Sequence, residues 1–262
     1  MDAPAIALHQ VDKVYANGTV ALQGIDLAVQ QGEFVSLLGP SGCGKSTVLR
    51  LIAGLGETSH GMIDWGMAGR DRELAYVFQD AALMPWASVV DNVHLPLKLK
   101  GQSLRASRAR IQEALNLVEL QGFENSYPRQ LSGGMKMRVS IARALVTHPN
   151  VLLMDEPFGA LDEMTRSRLN TDLLELWERY HWTVVFVTHN IYEAVYLSNR
   201  VYVMAAQPGR IVAEVPIEEP HPRTEDFRTS PLFNQYCRDI LHALTAGEAL
   251  SSARNSPNLI TP

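Results

Sequence analysis

Hydrophobic residues along this chain follow two different textures. Residues 6–14 and 20–29 carry strand patterning around the turn pair Asn17-Gly18 and predict an N-terminal sheet. The apolar run Phe34-Val35-Ser36-Leu37-Leu38 reads as a buried strand, and 47–53 as a helix. Short strands are expected at 62–65 and 74–78. Between about 89 and 145 the pattern turns helical. Within 104–120, Ile111, Leu115 and Val118 recur at the spacing that lines one helix face. Another helix is expected after Ser132-Gly133-Gly134, running through Val139, Ile141, Ala142 and Leu145. Sheet texture returns at Val151-Leu152-Leu153-Met154 and Val184-Val185-Phe186-Val187. Continuous apolar runs of this kind suit parallel strands covered on both faces. A helix over 164–180 joins them, so the pattern predicts an α/β core with an inserted helical lobe. Past Met204, Pro208-Gly209 is a turn between short strands at 201–204 and 210–215. Pro216, Pro220 and Pro222 are expected to break the chain. A helix is expected over 227–244 and a disordered tail over 246–262, which is rich in Ser, Asn and Pro.

One loop in this pattern carries chemistry. Gly39-Pro40-Ser41-Gly42-Cys43-Gly44-Lys45-Ser46 fits G-x-x-x-x-G-K-[ST], the phosphate-binding loop. Glycines let the backbone wrap until successive N–H groups converge on phosphate oxygens. Lys45 adds a full positive charge for the β- and γ-phosphates, and the Ser46 hydroxyl is a Mg²⁺ ligand. The strand before and the helix after put the phosphates at a helix N-terminus, where the dipole favours anions. The loop predicts nucleotide binding without saying which nucleotide or to what end.

Other residues gain meaning from that loop. Asp155 ends an apolar strand, where Mg²⁺ takes its second anchor, and Glu156 follows as a candidate general base toward an attacking water. Ser132-Gly133-Gly134 opens a helix. It reads equally as an ordinary N-cap or as a second anion site. Gln79 is placed to reach Mg²⁺ and the water, His189 to donate to the γ-phosphate, and Tyr15 to stack on a base. Taken singly, a glutamine there more often only faces solvent, a strand-end histidine is more often structural, and the tyrosine reads more naturally as a packed strand-end aromatic; their order along one chain is what gives them weight.

Composition narrows the classes. The 262 residues are 46% hydrophobic, enough for a substantial core. A formal net charge of −5 gives no basic footprint for nucleic acid. The two cysteines, Cys43 and Cys237, lie far apart, and one is inside the phosphate loop, so a disulfide is not expected and a reducing compartment is. Cys43 reads either as a small residue that fits the loop or as a thiol activated by the helix end. Met1-Asp2-Ala3-Pro4 lacks a signal-peptide pattern, and no run approaches the ~18 apolar residues of a membrane span. The expectation is a soluble chain, or one held peripherally at a membrane by a partner.

The order of these motifs resembles the ATP-binding subunits of ATP-binding-cassette (ABC) transporters, over about residues 6–215. The resemblance implies a P-loop NTPase core with a mainly parallel sheet, an N-terminal antiparallel β-subdomain and an inserted α-helical subdomain. It implies an ATP-binding domain over 1–218, with the helical part at about 84–147, and a C-terminal extension over 219–262. Tyr15 falls at the aromatic stacking position, and Gly39, Pro40, Ser41, Gly42, Cys43, Gly44, Lys45, Ser46 and Thr47 form the nucleotide loop. Gln79 falls at the lid glutamine, and Leu131-Ser132-Gly133-Gly134-Met135 at the signature. Asp155 matches the magnesium strand, Glu156 the catalytic glutamate, Gly159-Ala160-Leu161-Asp162 the dimer-contact loop and His189 the switch histidine. ATP and Mg²⁺ are the implied ligands, with Ser46, Gln79 and Asp155 on the metal. The implied partners are a second copy packed head to tail, whose Ser132, Gly133 and Gly134 close the site, separate membrane permease subunits and, through them, a solute-binding protein. Nucleic acid is not among them. The implied location is the cytoplasmic face of the inner membrane. Residues 81–97, with Leu83, Met84, Trp86 and Val89, are the expected surface for the membrane partner. The signature departs from the family at Met135, where Gln is usual. This form, with Leu83-Met84-Pro85-Trp86, is similar to the nitrate, sulfonate and taurine branch of bacterial importers. The rival reading is a soluble ABC ATPase outside transport.

Overall fold

The protein's computed structural model describes residues 3–66 and 73–255. Met1 and Asp2, read above for a signal peptide, and 256–262, the end of the expected tail, lie outside the described residues. The chain divides into two compact units, one of residues 1–67 with 186–262 and one of 68–185.

The first unit opens with β1 (Ile6–Val14) and β2 (Val20–Val29), antiparallel with Ile6 opposite Val29 and Leu8 opposite Leu27. β3 (Phe34–Leu38) is buried at every position, as the apolar run predicts. Its one polar residue, Ser36, shares a 2.6 Å hydrogen bond with the Ser198 hydroxyl, so burial leaves neither oxygen unpaired. α1 (Lys45–Ile52) begins inside the phosphate motif, slightly earlier than the expected 47–53. β4 (His60–Asp64) pairs antiparallel with β1 and completes a three-stranded sheet in the order β2-β1-β4.

The second unit begins with β5 (Leu74–Val77) and continues through three helices, α2 (Val89–Leu99), α3 (Leu104–Leu117) and α4 (Gly133–Leu145). β6 (Val151–Asp155) then runs parallel to β5, and α5 (Glu163–Tyr180) follows. Each of the four helices starts on a side-chain cap. Ser88, Ser103, Ser132 and Asp162 accept from the backbone N–H of Asp91, Ala106, Met135 and Thr165 respectively. α3 stops short of the expected 120, because Glu119 takes a left-handed backbone (φ 54°). That turn presents the Glu119 carboxylate to Arg138 of α4 at 3.0 Å and Arg168 of α5 at 2.7 Å. Arg138 also reaches Asp172 of α5 at 2.6 Å, so one guanidinium ties α4 to its neighbours. The hydrogen bond from Arg138 holds the Glu119 carboxyl below its ordinary range, whereas burial pushes Asp172 up.

β7 (Thr183–Thr188), buried throughout, carries the chain back to the first unit. A short helix that the hydrophobic pattern did not reveal, α6 (Ile191–Leu197), follows it. β8 (Arg200–Ala205) lies parallel to β3, and β9 (Arg210–Pro216) lies antiparallel to β8. Pro216 does not break the chain as expected. It pairs with Arg200 at the end of β9, an edge strand, where a missing N–H costs no ladder bond.

The expected helix over 227–244 is two helices. α7 (Glu225–Thr229) ends at Ser230, whose backbone is extended because Pro231 follows, and α8 (Pro231–Asn255) starts there. Residues 246–255, expected to be disordered, are helical. Gly247 explains part of this: a Cβ there would stand 3.1 Å from Val212 and 3.2 Å from Ala205, so a bare backbone packs on β8 and β9. Phe227, Phe233 and Ile240 are buried, which makes α7 and α8 part of this unit's core.

Asn92 has no exposure, and its amide is the internal staple of the second unit. It donates to the carbonyls of Met84, Ala87 and Ser88 and accepts from the Met84 N–H at 2.8 Å. Asn92→Ala strips these bonds and leaves buried main-chain groups unpaired. It is expected to cost on the order of 2–3 kcal/mol, read as a lower urea midpoint at an unchanged slope.

Candidate nucleotide-binding site

The first unit holds the phosphate loop. β3 delivers the chain to Gly39 and α1 leaves from Lys45, so the loop spans a strand end and a helix start. Gly42 (φ 79°) and Gly44 (φ 97°) both use the left-handed region. Gly44 has a second reason to be glycine, because a Cβ there would stand 2.5 Å from Leu22 Cδ2. At Gly39 a Cβ would stand 2.5 Å from the Met204 carbonyl and 2.8 Å from Cys43 Sγ. The loop therefore lies pressed between β2 and the end of β8. Gly209, in the turn to β9, presses on it as well, since a Cβ there would collide with the carbonyls of Cys43 and Ala21. Cys43 is fully buried, which fits the small-residue reading rather than a reactive thiol.

α1 has no side-chain cap and no acidic residue in its first turn. Its leading N–H groups point where an anion would sit. Lys45 is 4% exposed, and its ammonium donates to the carbonyls of Gly39 at 2.8 Å and Pro40 at 3.0 Å. That arc over the loop holds the charge at the mouth of the nest. Tyr15, half-exposed, has its hydroxyl 3.3 Å from that of Thr47 in α1, and the Lys13 ammonium lies 5.5 Å from its ring. An aromatic face beside the phosphate loop can take a base.

His189 is exposed in the two-residue step, His189-Asn190, between β7 and α6. Its neighbours fix the backbone. The Thr188 hydroxyl bonds the Glu193 carboxylate and accepts from the Asn190 N–H at 2.9 Å, while Asn190 caps α6 at Tyr192 and Glu193. Asn190 with Glu193 three residues on is the cap signal that would have revealed α6 in the sequence.

The second unit holds the remaining candidates. Asp155, buried at the end of β6, accepts from the Tyr76 hydroxyl at 3.1 Å. Glu156 follows with a left-handed backbone (φ 44°), rare for a glutamate, and its carbonyl accepts from Gly159 N–H at 3.1 Å. That turn takes the Glu156 side chain out of the strand's alternation. Gln79 is exposed just past β5. Ser132 is exposed, and its hydroxyl is engaged by the Met135 N–H at 3.3 Å. Gly134 sits so close to α5 that a Cβ would stand 2.8 Å from Thr165 Cγ2. Asp162 accepts from the Thr165 N–H at 3.0 Å and hydroxyl at 2.7 Å, and these bonds hold its carboxyl below the ordinary range. Arg166 donates to the Phe158 and Leu161 carbonyls and fixes the loop that ends in Asp162.

The surface expected to meet a partner divides in two. Trp86 is 76% exposed, with Leu83 and Met84 half-buried, but Val89 is 1% exposed and belongs to the core. Val89 opens α2 on the helix face turned inward, so it drops out of the surface. Arg143 of α4, which the sequence reading missed, donates to the carbonyls of Ala81 at 2.7 Å and Ala82 at 2.8 Å. The loop that carries Trp86 is thereby strapped to the helix that Ser132 caps.

Comparison with known proteins agrees with this geometry. Residues 22–159 match the ABC transporter family. An ATP-binding protein of Brucella abortus is 45% identical over 244 residues, spanning 92% of this chain and 94% of its own. The aliphatic sulfonates import ATP-binding protein of Bacillus cereus is 41% identical over 254 residues, spanning 95% and 99%. Among solved structures, a dimeric bacterial ABC transporter cassette aligns with a TM-score of 0.71 at 35% identity, covering 82% of this chain and 100% of that one. The same cassette bound to ADP and Pi in a post-hydrolysis state aligns equally well. With its P-loop α/β core and near full-length relatives of this kind, the chain belongs to the ABC transporter family, as one of its ATP-hydrolysing subunits.

Proposed function

We propose that this chain energises an importer, hydrolysing ATP at the cytoplasmic face of the inner membrane while separate permease subunits carry a small solute. The observation that carries the reading is a pair of glycine-rich helix starts on one chain. One is the uncapped α1 behind the phosphate loop, and the other is the exposed Ser132-Gly133-Gly134 start of α4. Relatives named as aliphatic sulfonates import ATP-binding proteins, matched over nearly their whole length, support the importer over a soluble ATPase outside transport. They also support a small solute of the sulfonate kind as cargo, while taurine or nitrate rests on the resemblance of the signature and of residues 83–86 alone. Among the described residues no helix is long and apolar enough to cross a membrane. The permease, and a solute-binding protein that selects the cargo, are proposed as separate chains.

Mg²⁺ fits the donors offered. Ser46 hydroxyl, Asp155 carboxylate and Gln79 amide oxygen are hard ligands. A cation that takes most of its shell from phosphates and water needs no dense acidic cluster. Among the described residues there is no group of three or more His, Cys, Asp or Glu side chains suited to a metal. When bound there, the ion would neutralise phosphate charge as negative charge shifts to the leaving group.

The protein's own residues do the rest. Tyr15 stacks on the adenine, and the N–H groups of residues 42–47 with Lys45 hold the β- and γ-phosphates. Glu156 accepts a proton from water as its oxygen attacks the γ-phosphorus, and the bond to the β-γ bridging oxygen breaks to give ADP and phosphate. Gln79 orients that water. His189 donates to a γ-phosphate oxygen as charge develops there. Ser132, Gly133 and Gly134 of a second copy close the opposite side, and Asp162 lies in the facing contact loop. ATP contacts both copies only when they are closed, so its binding favours the closed dimer and hydrolysis releases it.

Glu156→Gln is expected to lower kcat by about 10²–10⁴-fold while ATP still binds. Turnover near the wild-type rate would remove Glu156 as the base. Ser132→Arg places a bulky charge where the second copy meets ATP. It is expected to abolish turnover while the monomer still binds ATP in a filter assay, and an unchanged rate would sink the shared site. Trp86→Ala is expected to lower solute transport in reconstituted vesicles several-fold more than basal hydrolysis. Equal losses would mean that Trp86 only packs.

A further inference from the structure

α6 starts two residues after His189, with only Asn190 between them, so whatever fixes this short helix also fixes the backbone that carries the imidazole. The C-terminal segment grips it at both ends. At its first turn, Tyr192 stacks on Phe233 of α8, with ring centroids 6.0 Å apart and planes 20° from parallel. Phe233 is itself buried and held edge-on by Phe227 of α7 at 5.1 Å. At the last turn stands Arg223, only 5% exposed. Its Nη1 donates to the carbonyls of Val195 at 3.0 Å, Tyr196 at 3.0 Å and Ser198 at 2.9 Å. Its Nη2 and Nε hold the Ile217 and Glu219 carbonyls. The last carbonyls of a helix have no partner within it and carry its negative dipole end, which a buried cation satisfies.

The grip is reciprocal and reaches the phosphate loop. The Tyr196 hydroxyl donates to the Arg223 carbonyl at 3.2 Å, and the Arg228 guanidinium lies 3.6 Å over the Tyr196 ring. Beyond α6, Ser198 bonds Ser36 of β3, and Asn199 exchanges two backbone-directed bonds with Phe34 at 2.8 and 2.9 Å. β3 leads directly into Gly39. The segment after β9 thus sits on a frame common to His189 and the phosphate loop.

We propose that residues 217–240 brace α6, with Arg223 and Phe233 as positioning residues for His189. The brace rests on the reading of His189 as the donor to the γ-phosphate. A guanidinium suits the task where a lysine does not. Its rigid fork meets several carbonyls at once, whereas an ammonium on a flexible stem would hold only one or two. Misplacing a catalytic group by a fraction of an ångström from a distance lowers the rate without removing the group.

A cycle on the full-length chain tests the brace, with steady-state ATPase read as kcat and KM for ATP. Arg223→Gln is expected to lower kcat about tenfold and leave KM within about twofold, because ground-state binding through Lys45 and Tyr15 is untouched. Tyr192→Ala removes the other grip. Its ring is 63% exposed, so the fold survives even if Arg223→Gln does not, and a fall of about threefold in kcat is expected. In a His189→Ala background neither change should lower kcat further, because groups acting through one another do not add. A loss of folded protein would instead multiply through both backgrounds. The brace is overturned if both single variants keep kcat within about twofold of wild type while His189→Ala is slow, or if the losses multiply. Wild-type kcat in His189→Ala would overturn the reading of His189 itself, and the brace with it.

Discussion

An uncapped helix start in a loop too tight for side chains is the constraint around which the rest of the first unit is arranged. α2, α3, α4, α5 and α6 begin on Ser, Asp or Asn side chains that satisfy their leading N–H groups, whereas α1 begins on Gly44 with none. A helix start with no side-chain cap offers its leading N–H groups to an anion or to water. The loop is kept in that state by packing: Gly39 and Gly44 leave no room for a Cβ, and Gly209 presses from the neighbouring turn. Lys45 then has its ammonium over the loop carbonyls, with its charge held where phosphate would sit.

α4 solves the same problem differently. Ser132 caps it, so the hydroxyl is already engaged by Met135 N–H, and the two glycines leave the rest of the first turn uncovered. Gly134 also serves packing, since α5 approaches within contact distance of it. The far side of α4 carries Arg138, tied to Glu119 and Asp172, and Arg143, tied to the loop after Gln79. Arg143 therefore ties the Trp86 loop to the same helix that Ser132 caps, and Arg138 ties that helix to α5. A rigid helix with discrete polar ties is the kind of element that can have two arrangements rather than a continuum.

Much of this was legible in the sequence because it depends on period and on a few residue types. Buried strands showed as continuous apolar runs at β3, β6 and β7, and the loop showed through its glycines and Lys45. What escaped depends on long-range partners. α6 is too short for a periodic signal and is made by the Asn190 cap and by α8 behind it. The length of α8 was hidden by Ser and Asn near its end, residues that argue for a loop until the helix is seen seated on β8 and β9 through Gly247. Val89 looked like part of a surface run because it lies three residues past Trp86 in the sequence, yet the helix turn puts it inside. Arg138, Arg143 and Arg223 gave no sequence signal at all, since a buried arginine is recognised only by the carbonyls and carboxylates that surround it.

The departure at Met135 can now be weighed physically. What the structure uses at that position is the backbone: its N–H bonds the Ser132 hydroxyl and thereby sets the first turn of α4. Any side chain compatible with a helix supplies that N–H equally well. The side chain is half-buried, so a flexible apolar thioether is tolerated where a polar group of similar length is usual. Ser132 and the main chain of Gly133 and Gly134, which form the helix start, are unchanged by it. Turnover should depend far more on Gly134, where Thr165 leaves no room for a side chain, than on the residue that follows it.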